Sequence, residues 1–320
     1  MVDRHPEILD RALPSLSARL TISEDPLLAL AAAAAEKAIA EWGCPAVDIT
    51  HLVVSTNSVA GGPGPDVRLA ALLGLRPDVQ RTVLNLHGCS AGSAALRVAK
   101  DLAENNLGSR VLVSCADVSA ITLFRATDEA QLHELVANSH FSDGAGAVIV
   151  GANPAASSER PIFLMASASQ ATLPGTERAV WFRLSENGLD YRMSAKLPAL
   201  VRGNVERCLV DALAPLGLEG CGSGVWNRLF WAVHPGGRAI LDSYDAALGL
   251  QPEKLAVSWH VLSEYGNMLG ATIIFVIDEL RRRRQGGGDV DCKWGVMLGL
   301  GPGLTVETMV LRALGNQDED

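Results

Sequence analysis

The sequence has no Cys-x-x-Cys pair, no broad basic stretch and no apolar run long enough to cross a bilayer. Each absence excludes something. Six cysteines (Cys44, Cys89, Cys115, Cys208, Cys221 and Cys292) lie scattered without metal-ligand spacing. That pattern predicts no metal site, reduced thiols and a cytoplasmic setting. The net charge of −9 offers no extended positive face for phosphates, so a general nucleic-acid binder is excluded. The longest early apolar run, Leu27 to Ala35, is too short for a membrane span and flows into Glu36-Lys37 as an amphipathic helix. Met1 to Glu7 lacks the basic segment and apolar core of a secretory leader, and Asn316 to Asp320 is an acidic tail.

What is present is enough for a large buried core. The chain has 320 residues, 48% of them hydrophobic, which suits one large or two intimately joined α/β domains. Pro26 reads as the start of an Ala-rich helix that Gly43 ends. Ile49 to Thr56 and Arg110 to Ala116 read as strands, with a helix from Ser90 to about Glu104 before the second. Val83–Leu86, that helix and Arg110–Ala116 form a βαβ pattern, which implies a parallel strand pair. Leu132 to Asn138 suits a helix, and Phe141 to Val150 a tightly packed central strand. Residues 151–160 read as a connector. Beyond it, Pro161–Ser169 suits a strand, residues 178–193 a strand pair about Asn187-Gly188, and 197–216 a helix. Leu229–Val233, Lys293–Leu300 and Leu304–Arg312 suit strands, and 238–248 and 268–284 helices.

Three polar residues stand at element ends, where open α/β sheets place their sites. Cys89 follows an apolar strand and precedes a run of small residues, so it would face the positive end of a helix, which favours the reactive thiolate. His234 follows the strand Leu229–Val233, and Asn267 precedes a helix. A histidine can pair with a thiolate, and an amide can donate to an oxyanion. Taken singly, the bland alternatives are a small buried thiol, a hydrogen-bonded core histidine and a helix cap. Of the other histidines, only His87 lies close to Cys89 in sequence.

The segments Gly88-Cys89-Ser90-Ala91-Gly92, Leu96 to Asn106, Asp143-Gly144-Ala145, Ala232 to Asp242, Leu262 to Met268 and Gly299 to Thr308 resemble the chalcone synthase family, the type III polyketide synthases. The likeness runs from about Ser15 to Leu311, and the wording around His234 is most similar to the monocot curcuminoid-synthase-like branch. The resemblance implies an α/β, thiolase-like fold of two pseudo-duplicated halves in α/β/α/β/α layers, residues 1–155 carrying the cysteine and 156–320 the histidine and asparagine. It implies a homodimer that uses malonyl-CoA and an acyl-CoA starter, such as a hydroxycinnamoyl-CoA, without metal or organic cofactor. By motif, Cys89 takes the acyl group, while His234 and Asn267 bind the malonyl thioester and stabilise its enolate. Phe141 would gate the cavity, with Tyr191, Phe182, Ser58, Ser119, Thr122, Leu269 and Pro302 shaping it, and Gly236, Gly237 and Ala239 would meet CoA.

Several positions depart from the family pattern. Tyr191 replaces a Phe, Phe182 a glycine, Leu269 and Gly270 two serines, Asn57 a Thr and Gly62 a Met. These departures imply a reshaped cavity and a product other than naringenin chalcone. Family members also begin with a further segment whose basic residues bind CoA phosphates, absent from this sequence. That departure leaves open a second expectation, an impaired homologue acting as a dimerisation partner. A Cys-His-Asn peptidase would give no reason for the long matches outside the three residues.

Overall fold

The structure is a computed structural model that describes residues 15–118, 139–155, 158–185, 188–218, 223–287 and 292–314. The expected helix at Leu132–Asn138 lies outside the described residues, as do Ser119 and Thr122.

The first helix, α1, spans Leu16–Trp42. It begins ten residues before the expected start at Pro26, which sits inside it. An internal proline loses a backbone hydrogen bond. Here the helix carries through because its buried face continues on both sides of the proline, with Ser23, Leu27, Leu28, Ala31 and Ala35 all covered. The Ser15 hydroxyl accepts from Ala18 N to cap its start, and left-handed Gly43 (φ 79°) ends it.

The first sheet contains β1 (His51–Thr56), β2 (Gln80–Asn85), β3 (Arg110–Asp117) and β4 (Gly144–Gly151) in the order β2-β1-β3-β4. α2 (Pro65–Leu72) precedes β2, and α3 (Ala91–Asn105) links β2 to β3. β2 and β3 are both parallel to β1, which lies between them, so the βαβ unit does not form an adjacent pair. The fully buried β1 takes the centre. β4 runs antiparallel to β3 at the end of the order, and is not a central strand.

The second sheet is built from β5 (Phe163–Thr172), β8 (Phe230–Val233), β9 (Trp294–Gly301) and β10 (Thr305–Ala313), ordered β5-β10-β9-β8. β6 (Val180–Ser185) and β7 (Gly188–Met193) form a separate antiparallel hairpin. α4 (Leu197–Leu213), α5 (Arg238–Leu248), α6 (Ala256–Tyr265) and α7 (Thr272–Gln285) complete the element order together with short turns. The sequence pattern gave no expectation of α6, and α7 starts four residues after the expected Met268 because a 3₁₀ turn, Leu269–Ala271, comes first.

Strand alternation sorts side chains into three packed regions. From β1, Leu52 and Val54 meet α1, while Val53 points the other way. From β10, Met309 and Leu311 join Val53, and Val306 and Val310 face outward. The central region packs α3 (Ala95, Ala99) and α7 (Ile273, Val276) between both sheets. The outer region packs α4 (Leu209, Leu213) and α5 (Leu241) against Trp231 and Val296. Five layers result, helix–sheet–helix–sheet–helix, and the loops at one end of both sheets converge.

Candidate active site

Cys89 lies in a 3₁₀ turn, Gly88–Ser90, that leads directly into α3. Two left-handed residues, Leu86 (φ 58°) and Gly88 (φ 63°), turn the chain from β2 into that helix. Gly88 also has no room for a side chain: a Cβ would lie 2.9 Å from Phe182 Cε1 and 2.9 Å from Pro302 Cδ. The turn is held from below. Gly88 N donates to Asn57 Oδ1 at 2.7 Å, and the Asn57 backbone N–H donates to Asp117 Oδ1 at 2.6 Å.

Asn267 arrives from the other half. Its segment pairs with Phe141 as an isolated bridge, and Ser142 N donates to the Asn267 carbonyl at 2.9 Å. The side-chain Oδ1 accepts from Leu269 N at 2.9 Å, which aims Nδ2 at Cys89 Sγ, 3.6 Å away. His234 follows β8, and its N–H donates to the Leu298 carbonyl. The His234 Nε2–H donates to the Leu269 carbonyl at 3.1 Å, so the neutral ring carries its proton there. Nδ1 is buried and has no partner among the described residues. Leu269 thus serves both residues at once, through its N–H and its C=O.

Cys89 opens onto a cleft whose lining includes Phe141, Phe182, Tyr191, Leu269 and Pro302, whereas Asn267 and His234, each 1% exposed, are buried beside it and do not line it. Phe141 and Tyr191 stack edge to face with centroids 5.3 Å apart. Gly236 also lines the cleft. Gly237 precedes α5, and Ala239 is exposed in its first turn. Ser58 is not part of the lining. It is buried behind the wall, donating to Asp117 Oδ1 and accepting from Val118 N. His87, near Cys89 in sequence, is exposed and turned toward the Asn85 carbonyl.

Burial sets the charge states. It pushes the Cys89 thiol up to about 12, with Asp117 adding to the rise and the Asn267 hydrogen bond opposing it. The cysteine is therefore at a helix start, yet its resting form is the thiol and not the expected thiolate: lost hydration outweighs the hydrogen bond it receives. Burial holds His234 down to about 4, so its ring is neutral near pH 7. Asp117 is pushed up to about 7 by burial, against the pull of donors from Asn57, Gly270 and Ser58.

Three participants lay outside the sequence expectation for chemistry. Asn57 was read only as a departure from a family Thr. Asp117 is a buried carboxylate at the end of β3 that clamps both the Cys89 turn, through Asn57, and the Asn267 turn, through Gly270 N at 3.3 Å. His140 places Nε2 at 3.3 Å from Asn267 Nδ2 and 2.9 Å from the Gly236 carbonyl. Its position next to Phe141 was the only available signal.

A thiol on an apolar cleft, an amide against its sulfur and a neutral imidazole tied to that amide through Leu269 suit acyl transfer through a thioester. Comparison with known proteins decides which kind. Residues 1–154 match the N-terminal domain of chalcone and stilbene synthases, and residues 164–315 match the C-terminal domain. The chain belongs to the chalcone and stilbene synthase family. It is 54% identical over 316 residues to bisdemethoxycurcumin synthase of Oryza sativa subsp. japonica, covering 98% of this chain and 78% of the relative. Membership makes the five layers a thiolase-like fold and the protein a type III polyketide synthase, an acyltransferase. Chalcone and stilbene synthases use malonyl-CoA and acyl-CoA substrates.

Proposed function

We propose that this synthase loads an aromatic acyl-CoA, of the hydroxycinnamoyl class, on Cys89 and extends it with malonyl-CoA to a curcuminoid-like polyketide. The observation that carries this reading is the Asn267 amide 3.6 Å from the Cys89 sulfur beside a cleft lined by Phe141, Phe182 and Tyr191. In loading, the Cys89 sulfur attacks the starter thioester, the thiol proton passes to the neutral His234 imidazole, and the imidazole hands it to the departing CoA sulfur, so that CoA leaves as the thiol. Malonyl-CoA then loses carbon dioxide, and the enolate electron pair attacks the Cys89 thioester. The new carbon–carbon bond forms as the sulfur leaves with its electrons.

Asn267 Nδ2–H and the His234 ring are the donors for the enolate oxygen. His234 must redirect the hydrogen it now spends on the Leu269 carbonyl. The chemistry needs no metal or organic cofactor, because the thioester itself stabilises the carbanion. Gly236, Gly237 and Ala239 lie where the CoA arm would pass, at the start of α5. We place the enzyme in the cytoplasm as a homodimer, with residues 1–155 and 156–320 as its halves. No helix among the described residues is long and apolar enough to cross a membrane.

The test supplies radiolabelled malonyl-CoA and 4-coumaroyl-CoA to the purified chain, beside Cys89→Ala. Extended products that vanish in the variant are expected. Folded protein that forms none overturns the reading, and naringenin chalcone as main product overturns the reshaped cavity. Light scattering on the same preparation reads the oligomeric state, and a monomer would sink the dimer.

A further inference from the structure

His140 is half-buried at the seam where the loops carrying His234 and Asn267 meet. Its Nε2 stands between an acceptor, the Gly236 carbonyl at 2.9 Å, and a donor, Asn267 Nδ2 at 3.3 Å. One nitrogen cannot satisfy both. A carbonyl oxygen only accepts, so the shorter contact requires the Nε2–H tautomer. In that state His140 cannot accept from the Asn267 amide. The amide cannot turn over either, because its Oδ1 is occupied by Leu269 N and faces the Thr272 hydroxyl at 3.5 Å. An Nδ1–H tautomer would do the reverse: Nε2 would capture an Asn267 hydrogen and release Gly236.

The backbone around the ring is fixed on several sides. Asn267 N donates to the His140 carbonyl at 3.3 Å, and the ring lies edge-on to Phe141 at 5.2 Å. Gly237 faces the ring so closely that a Cβ there would sit 3.2 Å from His140 Cε1. A ring held this tightly transmits its tautomer to its neighbours.

We propose that His140 is a positioning residue for the condensation: its Nε2–H, given to the Gly236 carbonyl, ties the His234 loop to the Asn267 loop and leaves the second Asn267 amide hydrogen, beside the one aimed at the Cys89 sulfur, for the substrate oxygen. This rests on the role assigned above to Asn267. It makes the enolate step, and not cysteine loading, the one that depends on His140.

The experiment follows malonyl-CoA decarboxylation and starter loading of Cys89 separately, in wild type, His140→Leu, His140→Gln and Asn267→Ala. Glutamine carries an amide N–H that can reach Gly236 where the imidazole N–H does; leucine cannot donate. Expected for His140→Leu is a fall in decarboxylation kcat of about tenfold or more, with KM and loading rate within about twofold. His140→Gln should recover most of the lost rate. If the leucine variant does not fold, His140→Asn, whose amide is too short to bridge, takes its place with the same expectation. Leucine and glutamine variants equally active, or equally impaired in loading and decarboxylation together, overturn the proposal. Asn267→Ala that decarboxylates like wild type overturns the reading of Asn267 instead. An impaired Asn267→Ala beside a fully active His140→Leu overturns this proposal alone.

Discussion

Leu269 holds a left-handed backbone (φ 52°) that costs an L-residue with a Cβ about 1–2 kcal/mol. The conformation turns its N–H to the Asn267 side chain and its C=O to the His234 ring, so one strained residue orients two polar side chains. Asp117 acts at the same scale from beneath, holding the Asn57 and Gly270 N–H groups. Its carboxyl is raised from an ordinary 3.8 to about 7. Between those pH values the folded chain keeps a proton that the unfolded chain has released. The stabilising contribution is thus complete below pH 3.8 and is lost as pH rises through about 7. Melting temperatures of wild type should therefore fall between pH 6 and pH 8 by a component missing from Asp117→Asn. The variant starts lower, since an amide N–H₂ replaces an acceptor, but its slope is the readout. Equal slopes would show that Asp117 does not titrate there.

At the scale of elements, α3 and the turn before α7 meet without side chains between them. A Cβ on Gly92 would run into the Gly270 carbonyl oxygen and lie 2.6 Å from Ile273 Cγ2. The two backbones carry Cys89 and Asn267, so this contact sets their separation. Gly92→Ala should destabilise the fold by about 1–3 kcal/mol, the usual cost of overpacking, and lower kcat as the turn is pushed away. Urea denaturation and steady-state rates check both; an unchanged denaturation midpoint would mean that the backbones do not pack this closely. The expected strand pair about Asn187-Gly188 is the hairpin β6–β7, paired from Val180–Met193 to Ser185–Gly188, so that Gly188 is the first residue of β7. α6 had no such local signature. Its Trp259 and Leu262 pack against one region and its Val257 and Val261 against another, so no single apolar stripe marks it.

Across the whole molecule, the halves are joined by more than apolar burial. Arg97 on α3 reaches Glu307 on β10 at 2.9 Å, and Gln170 on β5 donates to the same carboxylate at 2.5 Å. The Glu307 side chain is only 2% exposed, so removing its partner leaves a buried charge uncompensated. Arg97→Ala should cost about 3 kcal/mol. It should lower one shared unfolding transition, because α3 and α7 lie in a core common to both sheets. Circular dichroism and the fluorescence of the buried Trp226 and Trp231 should move together. Separate transitions would mean that the halves unfold independently.

The strands and most helices were legible in residues 15–314 because alternation and turn residues act locally: β1, β3, β9, β10 and α5 lie within a few residues of their expected bounds. The motifs carrying Cys89, His234 and Asn267 were legible for the same reason, as loops at element ends. Other features were set by tertiary contacts. Which strand takes the sheet centre depends on burial from both faces, and β1 won that place over β4. The proline inside α1 was tolerated because both of its flanks pack on a sheet. The thiol state of Cys89 could not be read from its helix start, since it follows from burial, which outweighs the Asn267 hydrogen bond. His140 and Asp117 entered the site through contacts 60 to 153 residues away along the chain, distances over which composition and spacing carry no signal.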